Sequence, residues 1–166
     1  DLSAWGLEGR TVELPGHGEL PIDYQPAESR DHLFGGNSNW RGPVWFPVNN
    51  LLLHSLATYG RGIAADVTFE YPTGSGNHLS LEDITHDLRQ RMISLFRVGP
   101  DGRRPSDPVH KPTGPLWQAH PTFSEYFNGD NGAGLGAAHQ TGWTAMVADL
   151  ICLEDGDDPI LRDATS

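Results

Sequence analysis

Three segments of the chain repeat apolar residues at helical spacing, and the stretches between them are rich in glycine and proline. The spacing predicts helices over about Val44–Tyr59, Leu81–Phe96 and Thr141–Leu153. Twenty glycines and 13 prolines among 166 residues predict long, ordered loops between these helices. Three amphipathic helices cannot bury all their apolar faces against one another. The chain is therefore either a small bundle or one part of a larger assembly, and its five tryptophans favour the larger assembly.

Each predicted helix has one apolar face that we expect to be buried. These faces comprise, in chain order, Val44, Val48, Leu51, Leu52, Leu56 and Tyr59; Leu81, Ile84, Leu88, Met92, Leu95 and Phe96; and Trp143, Met146, Val147, Leu150 and Ile151. Ser80, three residues before Asp83, predicts an approximate capping box at the start of the second helix. Outside the helices we expect only a small N-terminal hairpin that includes Thr11–Leu14, a turn region at 69–77 and a Pro-rich loop at 100–121. The expected fold class is all-α with long Gly/Pro-rich loops.

The composition restricts the partners of the chain. It has 22 acidic and 11 basic residues and a net charge of -11. Nucleic acids and anionic membrane surfaces attract basic faces, so the charge argues against both as partners. A neutral ligand such as a sugar is compatible with it, although acidity can also serve solubility alone.

The single cysteine, Cys152, lies in an apolar run, and we expect it to be a small buried residue rather than a nucleophile. One cysteine allows neither an intramolecular disulfide nor a cysteine-based zinc site within the chain. No run reaches the roughly 18 apolar residues of a membrane span, and no signal peptide is recognisable.

The segment from Gly35 to Asn50 combines indole rings with planar polar groups. It reads GGNSNWRGPVWFPVNN. Indole rings stack on the apolar faces of sugars, while arginine and asparagine supply donors and acceptors for sugar hydroxyls. This mixture is compatible with a carbohydrate site. In the alternative interpretation, Trp45 and Phe46 are core residues, Arg41 pairs with an acid, and the asparagines cap turns.

A second candidate segment places Glu125 among Phe123, Tyr126 and Phe127. Aromatic neighbours can partly desolvate a carboxylate, which raises its pKa and its basicity. The alternative is a strand with Glu125 on its solvent-exposed face. The glycines from 129 to 136 lack the spacing of a phosphate-binding loop and would instead permit sharp turns or a close backbone approach.

Metal binding is not indicated by the sequence. Asn128, Asp130 and Asn131 lack the bidentate glutamate of a calcium loop. The eight histidines contain no pair at metal-ligand spacing. His139 and Gln140 lie at the predicted entrance of the third helix, where they could bind a sugar hydroxyl or cap the helix.

Two runs of residues resemble glycoside hydrolase family 63. The run Asn39-Trp40-Arg41-Gly42-Pro43-Val44-Trp45, followed by Asn49, is similar to the family's NWRGPVW or YWRGPIW segment. The later run is similar as well, with Glu125-Tyr126, a Gly-rich stretch and the HQTGWT sequence that begins at His139. Between them, the YPTGSG sequence from Tyr71 resembles bacterial members. The match spans most of residues 33–153.

The resemblance implies part of an (α/α)6 barrel and hydrolysis of a glycosidic bond with inversion at the anomeric carbon. It implies that Glu125 is the general base and that the general acid is an aspartate in an upstream segment that nothing here matches. The substrate-binding residues it implies are Asn39, Trp40, Arg41, Gly42, Trp45, Tyr126, His139, Gln140 and Trp143.

Residues 1–166 are therefore expected to be the C-terminal portion of a glycosidase catalytic domain, partnered by the rest of the barrel and by an oligosaccharide or glycoside substrate. No cofactor or metal is expected, and a cytoplasmic location is favoured. The alternative functions are a non-catalytic carbohydrate-binding module, which needs no base, and a scaffold domain without a sugar site.

Overall fold

The structure is a computed structural model that describes residues 9–30, 40, 42–64, 66–108, 110 and 114–152. Its elements are, in chain order, β1 (Arg10–Leu14), β2 (Gly18–Ile22), α1 (Phe46–Gly62), β3 (Phe69–Glu70), β4 (His78–Leu79), α2 (Leu81–Ser94), α3 (Pro115–Ala119), β5 (Tyr126–Phe127), β6 (Gly134–Leu135) and α4 (Val147–Cys152). A short 3-10 turn, Thr144–Met146, immediately precedes α4. None of the described helices has both the length and the apolar character needed to cross a bilayer.

The expected all-α fold, as part of an (α/α)6 barrel, is wrong. Among the described residues, three two-stranded antiparallel sheets accompany the helices, so the fold is mixed α and β. Each sheet is a local hairpin, in which Val12 lies opposite Leu20, Phe69 opposite Leu79, and Tyr126 opposite Leu135. The Gly/Pro-rich stretches satisfy part of their backbone hydrogen bonding by folding into short hairpins. The spacing of apolar residues does not reveal such hairpins. The small N-terminal hairpin was predicted and is confirmed.

Helix α2 follows its prediction closely. The Ser80 hydroxyl oxygen accepts a hydrogen bond from the Asp83 backbone N–H at 3.1 Å, and the hydroxyl donates to the Asp83 carboxylate at 2.7 Å. This is the capping half of the expected box. Ile84 and Met92 are buried on the predicted face, and the helix ends at Ser94. One strong apolar stripe and a local cap are enough to define this element.

Helix α1 forms near the predicted bounds, but its buried face differs from the prediction. The side chains that face the core are Phe46, Asn50 and Leu53. The predicted face is largely exposed at Val48, Leu51, Leu52 and Tyr59. Because apolar residues occupy two sides of this helix, spacing alone cannot choose between them. The choice is made by α2, against which α1 packs.

Helix α4 begins later than expected. Residues 141–143 form a turn, the 3-10 turn follows, and the α-helical part starts at Val147 rather than at Thr141. Val147 and Leu150 are buried as predicted, whereas Trp143 and Ile151 are exposed. The expected burial of Cys152 is wrong, since this cysteine is exposed on the last turn. The predicted helix end at Leu153 lies outside the described residues.

The core joins the helices to the third hairpin. Its buried members are Phe46, Leu53, Met92, Ile93, Phe127, Val147 and Leu150. Phe127 of β5 contacts Phe46 of α1 edge-on, with ring centroids 5.4 Å apart. It also contacts Phe96, just after α2, at 5.9 Å. Offset and edge-on ring contacts of this kind add to the stabilisation from burial. The helices therefore hold β5, and with it the segment that contains Glu125.

Candidate functional site

The two candidate segments, far apart in the sequence, lie side by side in the structure. The Val44 N–H donates to the Phe127 carbonyl at 2.8 Å, and the Phe127 N–H donates to the Val44 carbonyl at 3.0 Å. This isolated antiparallel bridge joins the residues just before α1 to strand β5. As a consequence, Trp45, which follows Val44, contacts Tyr126, which precedes Phe127.

Four aromatic rings form a cluster beside this bridge, which we call the aromatic cluster: Trp40, Trp45, Tyr126 and Trp143. The Trp45 ring is stacked with Trp40 at a centroid distance of 4.7 Å and with Tyr126 at 4.5 Å. Trp143 lies tilted against Trp45 at 5.8 Å. Trp45 and Tyr126 are 4% and 0% exposed, whereas Trp40 and Trp143 are 57% and 38% exposed. The ring surface open to a ligand therefore comes from Trp40 and Trp143, which Trp45 and Tyr126 support from within.

Glu125 lies next to the aromatic cluster and is held by the backbone of Ala137. The Glu125 N–H donates to the Ala137 carbonyl at 2.9 Å, and the Ala137 N–H donates to Glu125 Oε2 at 3.0 Å. The side chain is partly buried. Within the described ranges of the chain, no group donates a hydrogen bond to Oε1. One carboxylate oxygen is thus fixed, and the other can accept a proton or a hydrogen bond from a ligand.

Two glycines after β5 leave room for this carboxylate and its surroundings. Gly136 has a φ of +68°, and a Cβ there would lie 2.6 Å from both Glu125 Oε2 and Tyr126 Cε1. At Gly134, a Cβ would lie 2.6 Å from the Ser106 carbonyl oxygen and closer still to Ser124. Real Cβ atoms do not approach other atoms so closely. The expected close backbone approach is therefore made to the protein's own side chains and backbone.

A third segment, residues 24–26, closes against both candidate segments. A Cβ on Gly42 would lie 2.5 Å from the Gln25 carbonyl oxygen and 2.8 Å from the Tyr24 ring. The Gly129 N–H donates to the Pro26 carbonyl at 2.7 Å. Gly42, a predicted substrate-binding residue, thus packs against the backbone of this segment.

The phenol of Tyr126 lies in an unusual electrostatic environment. Among the described residues, no group hydrogen-bonds to its buried hydroxyl. Burial, and after it the negative charges of Glu28 and Glu125, together raise the pKa of Tyr126 to about 12. Sequence reasoning did not identify Glu28, because it belongs to no motif and to no periodic segment.

Tyr24 makes a comparable contact at the edge of the site. Its hydroxyl donates to Asp130 Oδ1 at 3.0 Å. Partial burial raises the pKa of Tyr24, and the acceptor Asp130 and its negative charge act in the same direction. This hydrogen bond links the segment before α1 to the turn between β5 and β6.

His139 and Gln140 contact the residues that precede Glu125. The His139 ring is stacked with Phe123 at 6.0 Å, and its backbone has a φ of +68°. The Gln140 N–H donates to the Phe123 carbonyl at 2.7 Å, and the Gln140 carbonyl accepts from the Trp143 N–H at 3.1 Å. Both residues precede the helical part of α4 by several positions, so neither caps it.

The remaining predicted site residues, Asn39 and Arg41, lie outside the described residues. Within the part of the chain that the structure describes, no group of three or more histidine, cysteine, aspartate or glutamate side chains could hold a metal ion.

The chain is similar to two proteins of Saccharomyces cerevisiae. It is 42% identical over 140 residues to the uncharacterized protein YMR196W, in a match that covers 80% of this chain and 13% of that protein. It is 28% identical over 123 residues to a mannosyl-oligosaccharide glucosidase, which covers 74% of this chain and 12% of the glucosidase. The chain thus spans about an eighth of the length of these relatives. No protein-family model and no solved structure matches it. The chain is therefore a distant, partial relative of a glucosidase.

Proposed function

We propose that the protein containing this chain is a glycoside hydrolase of family 63 that cleaves glucosidic bonds with inversion, and that Glu125 is its general base. The observation that carries the proposal is the position of the Glu125 carboxylate, which is held by Ala137 beside the aromatic cluster. The partial similarity to a mannosyl-oligosaccharide glucosidase supports the same class of reaction. The substrate proposed is a glycoside or oligosaccharide with a terminal glucose residue.

The role of a general base agrees with the geometry of the carboxylate. In an inverting hydrolase, a carboxylate removes a proton from water while the water attacks the anomeric carbon. The Ala137 N–H orients Glu125 through Oε2, so Oε1 is the oxygen that accepts the proton from water. A second carboxyl group, roughly 6.5–9.5 Å away, must protonate the leaving oxygen. We assign that acid to a part of the protein outside this chain.

The sugar-binding part of the proposal rests on the exposed rings. Trp40 and Trp143 both contact the buried Trp45 and present exposed indole surface, and such surfaces stack on the apolar faces of pyranose rings. Asn39, Arg41, His139 and Gln140 are proposed to bind hydroxyl groups of the sugar. Trp45 and Tyr126 fix the orientation of the exposed rings from within.

The decisive experiment replaces Glu125 in the full-length protein. Glu125→Gln keeps the shape of the side chain and an oxygen for the Ala137 N–H, but it removes the basic carboxylate. We expect kcat on α-glucosides to fall about 10²–10⁴-fold, with an unchanged circular dichroism spectrum. Proton NMR of the wild-type reaction should show that the first product is the inverted anomer. Glu13→Gln, an exposed residue of β1, is the matched control and should retain full turnover.

A non-catalytic carbohydrate-binding role is the second candidate, and the exposure of Trp40 and Trp143 favours it. The two functions differ in one result. A binding module would bind D-glucose or its oligosaccharides, detected by tryptophan fluorescence, without any turnover by the wild-type protein. Near-normal turnover by Glu125→Gln would instead retain the enzyme but remove Glu125 from the role of base.

A further inference from the structure

We propose that Glu28 is a second acidic residue of this site and accepts hydrogen bonds from hydroxyl groups of the bound sugar. The inference rests on the proposed function, because it assigns Glu28 to the same substrate. In this role Glu28 determines affinity and hydroxyl specificity, whereas Glu125 acts on the attacking water.

The first support is the way the chain around Glu28 is fastened to the site. The Gly129 N–H donates to the carbonyl of Pro26, two residues before Glu28. The Gln25 carbonyl oxygen packs on Gly42 so closely that a Cβ at Gly42 would lie 2.5 Å from it, and Gly42 belongs to the segment that contains Trp40 and Trp45. Glu28 therefore follows directly from a stretch of backbone that contacts both candidate segments.

A local loop also defines the position of Glu28. Gln25 is buried, and its side-chain oxygen accepts the Arg30 backbone N–H at 3.2 Å. Arg30 in turn pairs with Asp23 at 2.6 Å. These contacts close residues 23–30 into a loop, with Glu28 inside its span. The carboxylate is thus carried by an ordered loop rather than by a free segment.

Glu28 itself has the properties of a ligand-binding acceptor. It is exposed, and among the described residues it forms no ion pair, unlike Asp23 and Asp87. An exposed carboxylate offers several acceptor sites, which suit the hydroxyl donors of a neutral sugar. A general acid would instead need a desolvated environment that retains its proton. Exposure therefore favours hydroxyl binding over proton donation.

The buried Tyr126 hydroxyl supplies an independent indication that both carboxylates belong to one site. It has no hydrogen-bond partner among the described residues, and buried polar groups without a partner are rare in folded proteins. The charges of both Glu28 and Glu125 act on it. Both carboxylates therefore lie close enough to this phenol to act on it electrostatically.

The test compares Glu28→Ala and Glu28→Gln in the full-length protein, with Glu19→Gln on the exposed edge of β2 as the matched control. With an α-glucoside as substrate, we expect Glu28→Ala to raise KM by about tenfold to a hundredfold. The kcat should stay within about threefold of wild type. Glu28→Gln, which keeps one acceptor oxygen, should lie between, and Glu19→Gln should match wild type.

Monodeoxy glucosides make the test specific for a hydroxyl contact. If Glu28 accepts a hydrogen bond from one hydroxyl, the analogue that lacks this group should lose affinity for wild type but not for Glu28→Ala. An unchanged KM in Glu28→Ala overturns the inference. So does a loss that falls on kcat instead of KM, which would indicate proton transfer.

Direct binding separates failure of this inference from failure of the proposed function. If the wild-type protein hydrolyses no glucoside, the proposed function fails, and D-glucose can still be titrated against tryptophan fluorescence. Weaker glucose binding by Glu28→Ala than by Glu19→Gln would then support the role of Glu28. Equal binding by the two variants, or no binding by wild type, would overturn it.

Discussion

Two glycine-rich turns of the chain resemble each other in sequence but differ in what surrounds their glycines. In the turn between β3 and β4, Gly74 and Gly76 have φ values of +80° and +76°, and a Cβ on either would meet nothing within 4 Å. In β6, Gly134 packs closely against Ser124 and Ser106, and Gly136, just after β6, packs closely against Glu125. The first pair is needed for its backbone conformation, and the second mainly for the absence of a side chain.

This difference separates a structural turn from a turn at the proposed site. The β3–β4 turn is exposed and is attached to α2 through the Tyr71 hydroxyl, which donates to Asp87 at 2.6 Å. The turn after β5 lies against the candidate base and the buried Tyr126. Close packing of backbone on a carboxylate fixes the position of that carboxylate, which a general base requires. The comparison can be tested by single Gly→Ala substitutions in the two turns, each of which adds one methyl group.

The largest effect is expected for Gly134→Ala. Its new methyl group would overlap the Ser124 side chain and lie 2.6 Å from the Ser106 carbonyl oxygen, and both serines are buried, so neither can move away into solvent. We expect a loss of about 3 kcal/mol or more in the free energy of unfolding, measured by urea denaturation. Gly74→Ala, where only the left-handed conformation is penalised, should cost about 1 kcal/mol. Equal losses for the two variants would contradict the distinction.

The next effect concerns activity rather than stability. Gly136→Ala places a methyl group 2.6 Å from Glu125 Oε2 and should displace the carboxylate. We expect kcat on α-glucosides to fall about a hundredfold, since small displacements of a catalytic group are costly. Gly76→Ala controls for the positive φ, and Gly142→Ala, with open space around it, controls for the nearby turn. Both controls should keep near-normal kcat; a comparable loss in either would show that Gly136 acts through general destabilisation.

The smallest effect is expected at the β3–β4 turn. The Tyr71 hydroxyl and Arg91 beside Asp87 hold the pKa of this carboxyl below its ordinary value. Because the folded-state pKa is lowered, the stabilisation is present above the ordinary aspartate pKa of about 4 and is lost as the pH falls through the lowered value. The Asp87 side chain is 42% exposed, so solvent screens these interactions and Asp87→Asn should cost only about 0.5 kcal/mol at pH 7.

Thermal unfolding at pH 7 and at pH 2 measures this effect. The difference between wild type and Asp87→Asn should disappear at the lower pH, while kcat at neutral pH should not change. A variant that lost activity would contradict the assignment of this turn to a structural role.

The elements that could be predicted from the sequence are those in which local signals agree. Helix α2 has one apolar stripe, and Ser80 caps it as expected. Helix α1 forms near the bounds that the spacing predicts, but the predicted buried face is exposed, because Leu51 and Leu53 are equally apolar and only the contact with α2 distinguishes them. Short strands such as β5 carry no periodicity over two residues, which is why the fold was expected to be all-α.

In the candidate site, too, some residues could be predicted from local sequence signals and others could not. Trp40, Trp45, Tyr126 and Trp143 could be selected from sequence because each belongs to one of two recognisable motifs, and the structure brings their rings together. Glu28 could not be selected, since it belongs to no motif and its relation to Tyr126 arises only through folding. The sequence also does not predict which of these indole rings are exposed and which are buried.

By itself, the sequence determined the chemistry available to this protein: where helices can form, which side chains can stack or accept protons, and where the backbone can turn. Those properties depend on single residues and on neighbours a few positions away. Only the tertiary structure decided which face of α1 is buried, which glycines leave room for Glu125, and which negative charges act on the Tyr126 phenol. These relations depend on packing between segments distant in the chain, and a short bridge such as that between Val44 and Phe127 leaves almost no trace in the sequence.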